Sequence, residues 1–234
     1  MNEPSPRPRV VALVPMRHDS KRVPGKNWRR LAGRPLFCHV VDALHDSGVI
    51  DEIVIDTDSD VVRQIAARQC PQVTLIERPA HLRDDKLPMN DVLLHTTGVV
   101  AADVYLQTHS TNPLLRPTTI AAAVRRFLRA EDRCDSLFGV TRLQQRLWDA
   151  DVRPINHDPA MLLRTQDLPP VYAENSCLYV FTRETLVRDR NRIGRRPIVH
   201  EIERDEAWDI DEETDFTIAE LLHAARDDRT RSAA

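Results

Sequence analysis

Three features of the 234-residue sequence predict an α/β fold, an open and mostly parallel sheet flanked by helices. Residues 10–14 (VVALV) form a continuous, largely β-branched apolar run, the pattern of a strand covered on both faces. From there to residue 140, short apolar runs alternate with segments of helical periodicity, as right-handed βαβ crossovers require. The rhythm then breaks over residues 142–170, a polar, proline-containing excursion, and resumes at residues 177–181.

The first strand leads into a polar loop from Pro15 to Asn27. A helix is expected over residues 35–47, because Leu36, Val40, Val41 and Leu44 share one face, and Gly48 ends it. EIVIDT (Glu52 to Thr57) reads as the next strand, residues 60–69 as a helix and VTLIE (Val73 to Glu77) as a strand. A loop over residues 78–89 precedes a helix beginning near Asn90 or Asp91, with Val92 and Leu93 facing the core. VYLQT (Val104 to Thr108), a helix over residues 118–130 and a strand near residues 136–140 complete the first series. After the excursion, CLYVF (Cys177 to Phe181) rejoins the sheet, followed by a short helix, a strand around residues 198–202 and a last helix near residues 213–225. One domain is expected over residues 9–228, with residues 1–8 and 229–234 as flexible tails.

Composition excludes several classes. With 41% hydrophobic residues the chain can bury one sizeable core. A formal net charge of -3 gives no global basic field, so nucleic acid is not an expected partner. Cys38, Cys70, Cys134 and Cys177 form no C-x-x-C pair and read as buried thiols. The opening residues do not resemble a secretory signal, and no run approaches the roughly 18 apolar residues of a membrane span, so a cytoplasmic location is expected.

In open α/β sheets ligands bind beyond the carboxyl ends of the strands, which directs attention to the loops after Val14, Thr57, Glu77 and Thr108. In the first, Arg17, Ser20, Lys21, Arg22, Lys26 and Asn27 gather around Gly25 and offer donors suited to a polyphosphate. A solvated basic surface is the alternative. Neither a G-x-x-x-x-G-K-[ST] loop nor a G-x-G-x-x-G fingerprint is present, which disfavours ordinary P-loop and dinucleotide folds.

The run from Val10 to Asn27, VVALVPMRHDSKRVPGKN, resembles the opening signature of the acylneuraminate cytidylyltransferases. The likeness continues through GRPL (33–36), IDTDS (55–59), Arg78-Pro79, Leu106-Gln107 and NPLLRP (112–117), then RTQDLPP (164–170), ENSCLYVF (174–181) and DIDEETDF (209–216). It implies a Rossmann-like nucleotide-binding sheet of the nucleotide-diphospho-sugar transferase type with a small dimerisation lobe, matching residues 142–170. It also implies transfer of CMP from CTP to an acidic, sialic-type sugar with release of pyrophosphate. The chain departs from the family at THSTNPLLRP, where a shorter P-T-S-P-L-R is usual, and at Ser176, where glycine commonly follows the asparagine. Both departures bear on the acceptor, and an octulosonic acid or a phosphonate remains a rival. A non-catalytic nucleotide-binding protein is a rival of another class.

The resemblance assigns Arg17, Ser20, Lys21, Lys26, Asn27 and Arg78 to the nucleotide, with Arg17, Lys21 and Asp211 serving the reaction. Gln107, Arg164 and Asn175 are assigned to the acceptor. Taken singly, Arg78 and Arg164 could be surface arginines, and Tyr172, Glu174 and Asn175 could cap a turn. His18, His109 and His200 belong to no metal-binding motif and read as structural. Asp209 and Asp211 stand two apart in an extended segment, so both carboxylates can face one ion, and hard oxygen ligands suit Mg²⁺ or Mn²⁺. Capping of the last helix would account for one of the two aspartates. CTP and a small acidic sugar are thus the expected partners, in a homodimer.

Overall fold

The computed structural model describes residues 7–130 and 132–232, with side chains up to Arg226; the outer parts of the expected tails, residues 1–6 and 233–234, lie outside this range. β1 (Val10–Met16) is buried along its whole length. Val10, Ala12 and Val14 pack into one core with Phe37, Val40 and Phe127, while Val11 and Leu13 pack into a second with Leu93 and Leu186. Burial on both faces is why the run shows no polar alternation.

β2 (Arg30–Leu31) and β3 (Arg34–Pro35) form a small antiparallel hairpin that the sequence did not reveal. The chain continues as α1 (Leu36–Asp46), β4 (Glu52–Thr57), α2 (Asp60–Gln69), β5 (Val73–Glu77), α3 (Met89–Val99), β6 (Val104–Thr108) and α4 (Pro117–Leu128). It closes with β7 (Ser136–Leu143), β8 (Val171–Phe181), α5 (Arg183–Asp189), β9 (Pro197–Glu201) and α6 (Glu213–Ser232). Local chemistry fixes several starts. The Ser59 hydroxyl accepts from Val62 N at 3.2 Å to cap α2, Thr182 caps α5 in the same way, and Pro117 opens α4 where its missing N–H costs nothing.

The seven main strands run in the order β5-β4-β1-β6-β8-β7-β9, and β8 alone is antiparallel to its neighbours. The chain builds outward from β1 to β4 and β5 and then crosses to β6 on the other side. The loops leaving β1 and β6 therefore part at a topological switch point, where a crevice opens.

Three elements outgrow their expected bounds. β7 and β8 extend past the sheet as an arm in which Val140 to Leu143 pair with Glu174 to Val171. Its half-exposed, mixed side chains hid it from a search for buried runs. The irregular excursion shrinks to residues 144–170, which hold an isolated bridge, Trp148 to Pro154, and a short 3-10 helix at Thr165–Asp167. α6 continues past Ala225 to Ser232, so residues 229–232, expected as tail, are helical.

Where the arm leaves the sheet, the register slips between Phe138 and Val140, and Asn175 folds over Gly139. A Cβ on Gly139 would stand 2.6 Å from Asn175 Oδ1 and 2.9 Å from Ile202 Cδ1, so glycine is required there. Ser176 occupies the left-handed region at φ +57°, a conformation that glycine adopts without strain and other residues rarely adopt.

Candidate active site

A cleft of about 720 Å³ lies at the switch point, walled by the loops after β1, β4, β5 and β6 and by Asp209 and Asp211. It contains Arg17, Ser20, Lys21, Lys26, Asn27 and Arg78, the whole nucleotide set expected from sequence. The first loop is shaped by Gly25, whose φ is +67° and whose added Cβ would lie 2.9 Å from the Trp28 ring. Asn27 is buried and holds the loop: its Nδ2 donates to the Arg17 carbonyl at 2.9 Å, and its Oδ1 accepts from Ser110 Oγ at 2.7 Å. It thus joins the β1 and β6 loops across the crevice, and both ends of its amide are engaged.

Arg78 is 1% exposed and ion-paired with Asp56 through Nε at 2.5 Å, while Thr96 Oγ1 donates to the other Asp56 oxygen at 2.9 Å. Sequence reasoning missed Asp56, since an aspartate inside EIVIDT carries no local signal of its partner. The loop cations also have carboxylate partners. Lys21 bonds Asp85, and Arg22 Nη2 lies 2.6 Å from Asp211 Oδ1. Lys26 bonds the Ile210 carbonyl and stands 3.7 Å from Asp211. Burial lowers the Lys26 pKa, with Asp209 and Asp211 opposing the shift. Asp19, Asp58 and Asp84 add further negative charge, so the wall is balanced rather than simply basic.

Asp209 and Asp211 are positioned by α6. Ile210, Phe216 and Ala219 pack with Leu31 of the hairpin and Leu36 of α1, which presses the segment against the first loop. The N-terminal cap is made by Asp215, whose Oδ2 accepts from Asp211 N at 3.0 Å and Glu212 N at 2.8 Å, the backward reach of a capping box. Capping therefore uses neither aspartate of the D-x-D pair. Asp209 Oδ1 is buried with no hydrogen-bond partner, and burial raises the pKa of that carboxyl. An orphaned carboxylate oxygen beside a second carboxylate fits a divalent cation. Among the described residues no set of three His, Cys, Asp or Glu side chains gathers to hold a metal, so these two would need substrate oxygens to complete a shell.

The three residues expected to meet the acceptor stand apart from the cleft wall. Gln107 is fully buried at the end of β6, where its Oε1 accepts from Arg192 Nη1 at 2.6 Å and its Nε2 lies 3.1 Å from His109 Nε2. Asn175 sits in the β8 bulge, its Nδ2 donating to Thr141 Oγ1 at 3.1 Å. Arg164 is in the exposed lobe and pairs with Asp167 at 2.7 Å. His109 does line the cleft, and burial takes its pKa down to about 4, so the ring is neutral at ordinary pH. His18 is structural, its Nδ1 lying 2.8 Å from Ser59 Oγ and its ring 5.1 Å from that of Trp28.

The family model described as Cytidylyltransferase matches residues 11–226. The chain belongs to the cytidylyltransferase family. It is 28% identical over 230 residues to N-acylneuraminate cytidylyltransferase A of Danio rerio, covering 94% of this chain and 53% of that protein. It is 26% identical over 226 residues to CMP-N,N'-diacetyllegionaminic acid synthase of Legionella pneumophila, covering 92% and 96%. The chain spans about half the length of the N-acylneuraminate cytidylyltransferases it matches. Among solved structures, CMP:2-keto-3-deoxy-manno-octonic acid synthetase complexed with CTP superposes with a TM-score of 0.71 at 16% identity over 93% of this chain and 99% of that one, a likeness of fold.

Proposed function

We propose that this protein transfers CMP from CTP to a hydroxyl of an acidic, sialic-type sugar and releases pyrophosphate. The observation that carries the reading is the convergence of the β1-loop cations and the Asp209–Asp211 pair on one cleft at the switch point, in a chain of this family. Relatives named for N-acylneuraminate, N,N'-diacetyllegionaminic acid and pseudaminic acid supply the acceptor class.

The acceptor oxygen attacks the α-phosphorus in line with the departing pyrophosphate. Negative charge builds on the phosphate oxygens, and Arg17 stabilises it together with Lys21 and Lys26, once those two lysines exchange their present partners for phosphate. Ser20 and the base contacts of Arg78 and Asn27 orient the nucleotide, the last two through a framework that their own hydrogen bonds hold rigid. Asp209 and Asp211 would hold Mg²⁺ or Mn²⁺ together with substrate oxygens, and that ion would supply Lewis-acid stabilisation when bound. Gln107, Asn175 and Arg164 are assigned to the acceptor side.

The lobe exposes apolar side chains, Leu162 at 86% and Val152 at 75% with Ile155 and Met161 beside them in sequence, which supports a homodimer built on this segment. No helix of the described residues is long and apolar enough to cross a membrane, and buried free thiols suit the cytoplasm. The test is a matrix of CTP, UTP, ATP and GTP against sialic-type, octulosonic and phosphonate acceptors, read as pyrophosphate release. Release is expected with CTP and a sialic-type acid. Release with UTP equal to that with CTP, or release only with a phosphonate, overturns the reading.

A further inference from the structure

The end of α5 and the loop that joins it to β9 carry several arginines, and three of them are held by acids. Arg188 pairs with Asp135 and Asp189, Arg190 with Asp91, and Arg195 with Asp189. Arg192 differs. Its guanidinium is half-buried, its carbon lies 3.6 Å from the centre of the Tyr179 ring, and Nη1 donates to Gln107 Oε1 at 2.6 Å. Among the described residues it forms no ion pair. Glu174 attracts it from a distance but accepts a hydrogen bond from the Tyr179 hydroxyl. Burial lowers the Arg192 pKa, as expected for a cation removed from water without a carboxylate to compensate it.

The position is also prepared. Arg192 N donates to Asn90 Oδ1 at 3.3 Å, Asn191 Oδ1 accepts from Asn90 Nδ2 at 3.2 Å, and the Asp135 carboxylate accepts from Arg195 N and Arg196 N at 3.0 and 2.9 Å. The guanidinium is thus fixed one hydrogen bond from Gln107 and two from His109 on the cleft wall, at the carboxyl end of β6. That is where the acceptor must approach a nucleotide bound by the β1 loop. A planar fork stacked on an aromatic ring and lacking an internal anion suits a carboxylate.

We infer that Arg192 binds the carboxylate of the acidic acceptor and sets the enzyme's preference for acids over neutral sugars. The inference rests on the function proposed above. The experiment uses Arg192→Met and Arg192→Lys in the full chain, assayed with CTP and the sialic-type acid that wild type turns over best, alongside the carboxamide of the same sugar. In Arg192→Met the KM for the acid should rise about 10- to 100-fold, the scale of a lost hydrogen-bonded charge pair, while the KM for CTP stays unchanged. The preference for acid over carboxamide should collapse in that variant and survive in part in Arg192→Lys. Wild-type turnover with the acid-to-carboxamide ratio unchanged in Arg192→Met would refute this inference alone. Absence of wild-type turnover with any acidic sugar would refute the proposed function beneath it. Calorimetric CTP binding by Arg192→Met at wild-type affinity shows that the variant is folded, and a loss confined to CTP binding would also count against the inference.

Discussion

The Lys26 ammonium donates to the carbonyl of Ile210, 184 positions away, so a cation from the loop after β1 is fastened to the residue between the two aspartates that precede α6. Nucleotide loop and acidic pair are therefore parts of one assembly. Activity should vanish with EDTA and return with Mg²⁺. Asp209→Asn and Asp211→Asn should each lower kcat by more than about 100-fold, the usual scale for removing a charge-stabilising element, with little change in thermal midpoint measured without CTP. Metal-independent turnover, or full activity in both variants, removes the pair from the site.

Lys21 and Arg78 both line the cleft but should fail in opposite ways. The Lys21 side chain is 82% exposed, so Lys21→Ala should impair turnover while the urea unfolding curve stays put. Arg78→Ala strands the buried Asp56 carboxylate and should cost about 3–5 kcal/mol of stability. Equal unfolding midpoints for Arg78→Ala and wild type would mean that the Asp56 pair carries no structural weight.

His109 gives the pH dependence a sign. Burial lowers its folded pKa to about 4, below the unfolded value, so the folded state binds fewer protons in between. Its contribution is complete above the unfolded pKa and is lost as pH falls toward 4, by roughly 3 kcal/mol across the window. His39 and His200 are also lowered by burial, so the informative quantity is a difference between proteins. The midpoint of His109→Gln should fall less than that of wild type on acidification over this range; parallel curves would contradict the burial seen here.

Much of the fold was legible because its strands are extreme cases. VVALV and VYLQT are buried on both faces, and the α1 face of Leu36, Val40, Val41 and Leu44 is fully covered. The β2–β3 hairpin was not legible, since two-residue strands carry no periodicity, nor was the outer arm of β8, whose residues are half exposed. In the cleft, motif residues were visible while their partners were not. Asp56 and Arg192 acquire meaning only when folding brings Arg78 and Gln107 beside them.

The exposed apolar lobe sets an expectation for assembly. Light scattering at micromolar concentration should report a dimer, and Leu162→Asp combined with Val152→Asp should shift it toward monomer without altering CTP affinity. A monomeric wild type, or a dimer indifferent to these changes, would place the interface elsewhere.

Attack at the α-phosphorus of CTP is tested most directly by phosphorus NMR of the reaction products. With Mg²⁺ and a sialic-type acid, wild type should yield one phosphodiester resonance of a CMP-sugar together with an equal amount of pyrophosphate, and Asp211→Asn should yield neither. CTP left intact with every acidic sugar, or conversion to CDP and phosphate, would contradict the account.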